Sequence, residues 1–266
     1  MSGEVLMNAG EGGVVHVTLR HTGRLNAMSR TMWRQLRSVF EGIQASSARC
    51  VVMAGEGGAF CAGGYITEYP GFRFDAAAQL DFHENDVWGG LNAMLACDVP
   101  IVASISGACM GAGVEIASCC DVRVAGAAAR FGAAIAKLGF PMAPREAQLV
   151  AAAVGETAAR QMLLEAATFT AADMLARGFL SRVVPDDDVP AEALSSARRI
   201  AARAPGAARM NKQVLRALKT PPALDGKAPA AIEMIVNGPH DPYAYADSAE
   251  HREGITAFLA KRPPVF

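Results

Sequence analysis

The sequence is poor in charge and contains no long uninterrupted apolar run. Only 19% of its 266 residues are charged and the formal net charge is −1, so the chain offers no overall basic field for nucleic acid or an anionic membrane. No stretch approaches membrane-spanning length, and the N-terminal residues lack the basic and apolar regions of a secretory signal. We therefore expect a soluble, cytoplasmic protein that binds neither nucleic acid nor membrane.

The cysteine spacing excludes two further classes of protein. The six cysteines lie mostly in apolar segments and include no C-x-x-C pair, which is typical of reduced core residues rather than of a disulfide framework or a zinc site. We expect no bound metal. Apolar residues are abundant instead, at 52% of the chain, and this predicts that part of the surface is hidden in subunit contacts.

Strand and helix patterns alternate through most of the chain. Residues 14–19 and 50–54 have strand composition, and between them Ser29 is a candidate N-cap for a helix with one apolar stripe. This β-α-β order favours a parallel sheet and an α/β fold. From about residue 200 only helical patterns remain, so we predict a core over residues 1–199 and a C-terminal helical region over residues 200–266.

One stretch, residues 104–121, carries the strongest functional signal. It reads as the end of a buried strand, a tight turn containing Gly107, Gly111 and Gly113, and then a helix. The start of a helix presents unpaired N–H groups that suit an oxygen gaining negative charge. Glu115 follows one turn later, and a carboxylate there favours a transient oxyanion over a bound phosphate, because like charges repel.

A second glycine-rich loop, residues 55–66, also follows a strand end. Loops at the carboxyl ends of parallel strands face one crevice, so two such loops can supply two N–H donors to one oxygen. A dinucleotide-binding site is the competing interpretation of the first stretch. Its glycine spacing is not G-x-G-x-x-G, and Asp121 comes too soon to serve as the ribose-binding acid.

Taken together, separated segments resemble the crotonase (enoyl-CoA hydratase/isomerase) superfamily, in the family's order and over nearly the whole chain. They are residues 24–29, 59–64, 105–121, 130–132 and 253–263. The resemblance implies an α/β spiral of β-β-α repeats with a C-terminal helical region that forms trimers, commonly paired into hexamers. It also implies an acyl-CoA thioester as substrate, with coenzyme A arriving as part of that substrate and no other cofactor.

The resemblance also implies a set of site residues. The amides of Gly64 and Ala112 would grip the thioester oxygen, Gly111 would shape the turn, and Glu115 would be a general acid or base. The positions that match the family's coenzyme A contacts are Arg24, Asn26, Ala27, Ala62, Ile66 and Lys261. The lysine reaches a phosphate in relatives, often across a subunit boundary.

Three departures from the family pattern leave the reaction open. The second glutamate of the hydratases is replaced by Ile135, a glycine pair is replaced by Pro144-Arg145, and an aspartate is replaced by Tyr65. Glu115 could work alone through one shared water, a substitute such as Glu146 could supply the second carboxylate, or the reaction could need only one base.

Other proton-bearing candidates are Tyr65 and His83. Hydratase, enoyl isomerase, decarboxylase and hydrolase activities stay open, as does a non-catalytic acyl-CoA-binding role. The acyl group is also left open by the sequence.

Overall fold

Two β-sheets form the framework of the computed structural model, which describes residues 3–218 and 243–266. The strands are β1 (Glu4–Ala9), β2 (Val14–Arg20), β3 (Cys50–Gly55), β4 (Ile101–Ile105), β5 (Ala108–Met110), β6 (Val122–Gly126), β7 (Arg130–Gly132), β8 (Thr168–Thr170) and β9 (Arg182–Val184). The larger sheet has the order β1-β2-β3-β4-β6-β9 and the smaller sheet the order β5-β7-β8. Among the described strands of the larger sheet, β1 and β2 pair antiparallel and the other neighbours pair in parallel.

The chain passes repeatedly from the larger sheet to the smaller one and then into helix. β4 is followed by β5, and β6 by β7, which pairs in parallel with β5. One turn earlier, Cys61 forms an isolated parallel bridge with Cys109 and so repeats the pattern after β3. These repeats confirm the predicted spiral of β-β-α units.

The helices include the one predicted to begin after Ser29. They are α1 (Arg30–Gln44), α2 (Ala76–Asp81), α3 (Trp88–Ala96), α4 (Ala112–Ser118), α5 (Pro144–Val154), α6 (Glu156–Leu164), α7 (Ala171–Ala176), α8 (Val189–Ala201), α9 (Pro205–Ala217) and α10 (Ala249–Leu259). The Ser29 side chain accepts a hydrogen bond from the Met32 N–H at 3.2 Å, which confirms the predicted N-cap of α1. The apolar stripe of α1, including Trp33 and Phe40, is buried in the main core.

Helix α8 covers the opposite face of the larger sheet. Its residues Ala193, Ala197 and Ala201 pack in a second core cluster with Val102 and Val124. Small side chains let the helix approach the sheet closely. α8 ends at Ala201, close to the predicted start of the C-terminal region at residue 200.

Polar contacts tie α9 to the core. Lys212 Nζ lies 2.8 Å from the Asp121 carboxylate, and Arg216 Nη2 lies 2.9 Å from that of Asp98. The Asp98 carboxylate also accepts a hydrogen bond from Gln213 at 2.8 Å. The start of the predicted C-terminal region is therefore bonded to the spiral, and its independence as a domain stays a prediction.

The predicted tight turn before α4 is wrong in one respect. Between Gly107 and Gly111 the chain forms the short strand β5, so two bends replace one turn. Both glycines have positive φ, 56° and 48°, and a side chain at Gly107 would collide with the Gly58 carbonyl. The second bend aims the start of α4 across the smaller sheet.

The helical segment before β4 is long and irregular. α2 continues without a break into a π-helical segment, Phe82–Val87, and then into α3.

All six cysteines are buried and none forms a disulfide. Across the two described ranges, every helix is too short or too polar to cross a membrane.

Candidate active site

A cavity of about 240 Å³ lies where the two glycine-rich loops meet. Its walls come from the loop after β3, the start of α4, the π-helical segment and the chain from residue 134 to the start of α5. Its lining includes Gly64, Tyr69, Arg73, His83, Ala112, Glu115, Ile135, Phe140 and Glu146. The structure thus brings residues from distant parts of the sequence to one pocket.

Two backbone amides border this cavity, at Gly64 and Ala112. The Met28 N–H donates to the Gly63 carbonyl and the Tyr65 N–H donates to the Met28 carbonyl, both at 2.8 Å, so the bridge leaves out the Gly64 amide between them. Ala112 is the first residue of α4, where an N–H has no helical partner. The cavity therefore has two amides suited to an oxygen atom.

Gly64 also has a steric reason to be glycine. The Tyr69 hydroxyl occupies the place where a side chain at position 64 would stand. Burial raises the pKa of Tyr69 to about 12, with the nearby glutamates adding to the shift and Arg73 opposing it. The hydroxyl consequently keeps its proton beside the Gly64 amide.

Glu115 faces the same cavity from the first turn of α4. Only 6% of the residue is exposed, and within the described ranges no group donates a hydrogen bond to its carboxylate. Burial raises the pKa of Glu115 well above its usual range, and the negative charge of Glu146 raises it further, whereas Arg73 lowers it. Glu115 can therefore hold a proton under conditions where an exposed glutamate has lost it.

Glu146 is the second buried carboxylate of the cavity. Its Oε1 lies 2.7 Å from His83 Nδ1, and His83 Nε2 lies 3.4 Å from Arg73 Nη1. A guanidinium can only donate hydrogen bonds, so His83 Nε2 is the acceptor in that long contact. The ring proton is then on Nδ1, which donates a hydrogen bond to Glu146. The network thus assigns His83 as the group that orients Glu146.

The local sequence explains how Glu146 and His83 meet. Pro144 is at the first position of α5, where its fixed φ favours helix and its missing N–H costs nothing, so Glu146 falls in the first turn. His83 lies in the π-helical segment, a rare geometry that often occurs at functional sites. The departure at Pro144-Arg145 is therefore what begins the helix that carries a second acid.

Several residues suggested by the sequence lie outside the cavity. Tyr65 is one correction, because its ring packs 4.6 Å from His21 and beneath Arg24. Asn26 also lies outside the lining, and its side chain donates to the Glu56 and Ala59 carbonyls at 2.9 and 2.8 Å and so braces the loop. Its predicted contact with coenzyme A through the backbone stays a prediction.

The remaining predicted coenzyme A contacts are spread over two places. Ala62 and Ile66 line the cavity, and Ile66 is 49% exposed, whereas Ala27 lies in the preceding turn and is not part of the lining. Lys261 follows α10, and within the described ranges its side chain forms no ion pair. Their roles stay predictions.

Sequence reasoning missed Tyr69 and Arg73. Both follow the second glycine-rich loop, in a 3₁₀ turn (Ile66–Gly71) and the bend after it. An arginine and a tyrosine in a loop are ordinary surface residues by composition, and no spacing marks them. The one available signal was their position shortly after the Gly64 loop.

The raised pKa of Glu115 predicts a pH-dependent stability. The native state holds this proton more tightly than the unfolded state, so the stabilisation present at low pH is lost as pH rises towards the raised pKa. Glutamine does not ionise, so the Glu115→Gln variant does not lose stability in this way as the pH rises. Thermal unfolding should show a higher Tm for the variant near pH 8, by about 2–4 °C for each 1 kcal/mol recovered, and a shrinking difference towards about pH 4. A constant difference across this range would contradict the assignment.

Known proteins resemble this chain over nearly its whole length. The profile of the enoyl-CoA hydratase/isomerase family matches residues 9–266. A "Probable enoyl-CoA hydratase" of Rhizobium meliloti is 31% identical over 100% of this chain and 99% of its own. The 2,3-dehydroadipyl-CoA hydratase of Escherichia coli is 31% identical over 95% of this chain and 94% of its own.

A solved structure gives the same result. An enoyl-CoA hydratase/carnithine racemase from Magnetospirillum magneticum has a TM-score of 0.88 and 34% identity, covering 98% of this chain and 94% of its own. Spiral fold and relatives together define an acyl-CoA-processing enzyme of the crotonase type. The chain belongs to the enoyl-CoA hydratase/isomerase family.

Proposed function

We propose that the protein adds water to the double bond of a 2-enoyl-CoA thioester. The observation that supports hydration is the presence of two buried carboxyl groups, Glu115 and Glu146, on the wall of one cavity. Hydration needs a base for the water and an acid for Cα, and two carboxyl groups supply both. Glu146 stands in for the glutamate that Ile135 replaces.

The proposed roles follow from the surroundings of each group. Glu146, held by His83, accepts a proton from water as the hydroxyl oxygen bonds to Cβ. The electron pair of the double bond passes to the thioester oxygen, where the Gly64 and Ala112 amides stabilise the enolate. Glu115 then gives its proton to Cα as the carbonyl re-forms. Proton exchange between the two carboxyl groups restores the starting state.

Substrate binding is proposed on the family's terms. The amides and carbonyls around Asn26, Ala27 and Ala62 would receive the adenine of coenzyme A, and Arg24 and Lys261 its phosphates. Arg24 is exposed beside this turn, which suits contact with a charged group at the mouth of the cavity.

Product analysis on a panel of enoyl-, malonyl- and hydroxyacyl-CoA thioesters tests the proposed reaction. We expect a 2-enoyl substrate to yield a product heavier by one water, detected by mass spectrometry. A double-bond shift with no water gained would instead favour enoyl-CoA isomerisation, for which Glu115 alone could move the proton. Loss of carbon dioxide or of free coenzyme A would identify a decarboxylase or a hydrolase, and binding without turnover a non-catalytic relative.

Glu146→Gln is expected to lower the hydration rate about 100-fold, because it removes one of two positioned acid-base groups while keeping the shape. Steady-state kinetics on the best enoyl substrate would measure the loss. Adding Ile135→Glu to this variant places a carboxylate on the same wall and should recover part of the rate. An unchanged rate in the single variant would exclude Glu146 from catalysis.

We further propose that the chain assembles as a trimer or hexamer. Apolar side chains on α9 and α10 are largely exposed in the single chain, including Leu215 at 62%, Phe258 at 80% and Leu259 at 74%. Ending the chain before Ser248 removes α10 and should abolish assembly, as sedimentation equilibrium would show. A stable monomer of the full chain at micromolar concentration would contradict this.

A further inference from the structure

Arg73 brings a permanent positive charge into the cavity wall. Its guanidinium contacts two aromatic rings, with Cζ 3.8 Å from the centre of Phe140 and 4.5 Å from that of Tyr69. Such rings hold a guanidinium in place by cation–π attraction. Arg73 is therefore fixed at the wall that Phe140 and Tyr69 share.

The hydrogen bonds of Arg73 are incomplete. Nη1 reaches His83 at 3.4 Å, but Nε is buried and has no acceptor. Within residues 3–218 and 243–266, no carboxylate forms an ion pair with this guanidinium. A buried N–H without a partner is destabilising, and more so on a charged group, so an acceptor bound at this place would be favoured.

The uncommitted edge has a defined chemistry. With Nη1 turned to His83, the Nε and Nη2 atoms remain, and they form the side of a guanidinium that pairs with both oxygens of a carboxylate. Neither cavity glutamate takes this place, because Glu146 is bonded to His83 and Glu115 accepts no hydrogen bond within the described chain. A carboxylate carried by the substrate would supply the acceptor that the described residues do not provide.

We propose that Arg73 binds a carboxylate at the far end of the acyl group, so that the preferred substrates are coenzyme A thioesters of unsaturated dicarboxylic acids. This inference rests on the proposed enoyl-CoA activity and narrows its substrate class. Since Nε lies out of contact with solvent, binding includes a small rotation that turns Nε towards the cavity while the guanidinium keeps its contact with the two rings.

The first test compares matched substrates on the wild-type enzyme. Each 2-enoyl-CoA of five or six carbons carrying a terminal carboxylate is paired with the neutral thioester of the same length. We expect kcat/KM to favour the carboxylate member by at least about tenfold, the usual scale for a hydrogen bond to a charged group. Equal values, or a preference for the neutral member at every length, would overturn the proposal.

The second test uses Arg73→Met, with Arg145→Met as the matched control. Arg145 is a half-exposed arginine that pairs with Glu84 at 3.1 Å outside the cavity lining. Arg73→Met should abolish the preference, mainly through KM for the carboxylate substrate, whereas Arg145→Met should keep it. Loss of rate on both substrates with the preference intact would show that Arg73 acts only through His83, and the proposal would fail.

Arg73→Lys keeps a charge but loses the paired donors, and it provides a readout if Arg73→Met does not fold. It should retain part of the preference at a higher KM. A full wild-type preference in Arg73→Lys would contradict paired recognition. Turnover of neutral enoyl thioesters alone would leave the proposed hydration intact and reject only this substrate class, whereas no turnover of either member would reject the activity itself.

Discussion

Glu115→Gln is expected to bind acyl-CoA normally and to lose roughly 100- to 10,000-fold in kcat. The variant keeps the size and shape of the side chain but removes the proton that the buried carboxyl group carries, and positioned acid-base groups contribute on this scale. Burial is the main cause of the raised pKa of Glu115. A carboxyl group with such a shifted pKa is suited to proton transfer during catalysis. Steady-state kinetics would measure the loss in kcat, and titration with acyl-CoA would measure the retained binding.

Glu156→Gln is the matched control for that experiment. Glu156 also begins a helix, but its side chain is 74% exposed and pairs with Arg160 on the surface. Its replacement should leave kcat within about twofold of the wild-type value, because exposed ion pairs contribute only about 0–1 kcal/mol. Equal rates for wild type and Glu115→Gln on an active substrate would shift the search to Glu146 and His83.

Gly64→Pro is expected to lower kcat by roughly 100- to 1000-fold with little change in coenzyme A affinity. Proline has no N–H, so the variant removes one proposed donor to the thioester oxygen, and loss of one such donor costs about 3–4 kcal/mol in comparable sites. Turnover of the best enoyl substrate gives the measurement.

A proline at position 64 also adds a side chain that meets the Tyr69 hydroxyl. Gly64→Ala adds the same first carbon but keeps the N–H, so it serves as the matched control. The difference between the two variants isolates the donor. Equal losses in both would assign the effect to displacement of Tyr69 and remove Gly64 from the proposed oxyanion site.

Much of the fold follows from the sequence because its signals are local. An N-cap at Ser29, the buried strands and the glycine turn before Glu115 depend on neighbouring residues, and the spiral follows from a family resemblance along the chain. The strand β5 is missed because three residues between two glycines look like part of a turn. A strand this short gets its identity from its partner β7, not from its own composition.

For the same reason, only part of the candidate site could be predicted from the sequence. Glu115 lies next in sequence to the glycines that indicate a site. Glu146 belongs to the site because it contacts His83, 63 positions away, and because it is buried, and no local sequence pattern predicts either property. The sequence offers Glu146 as a possible second carboxylate and His83 as a proton-bearing side chain. What it lacks is the contact between them, which depends on how two distant helices pack.

The π-helical turn at Phe82–Val87 also makes the site sensitive to chain length. Such a turn holds one more residue than an α-helical turn, and each residue in an α-helix advances the side chains by about 100°. Deleting a single residue after His83 would let the segment relax to regular helix and would swing His83 away from Glu146, with no change in the residues themselves. A relative could thus gain or lose the second acid by a one-codon insertion or deletion far from both glycine loops, and a comparison restricted to matching residue types would not detect it.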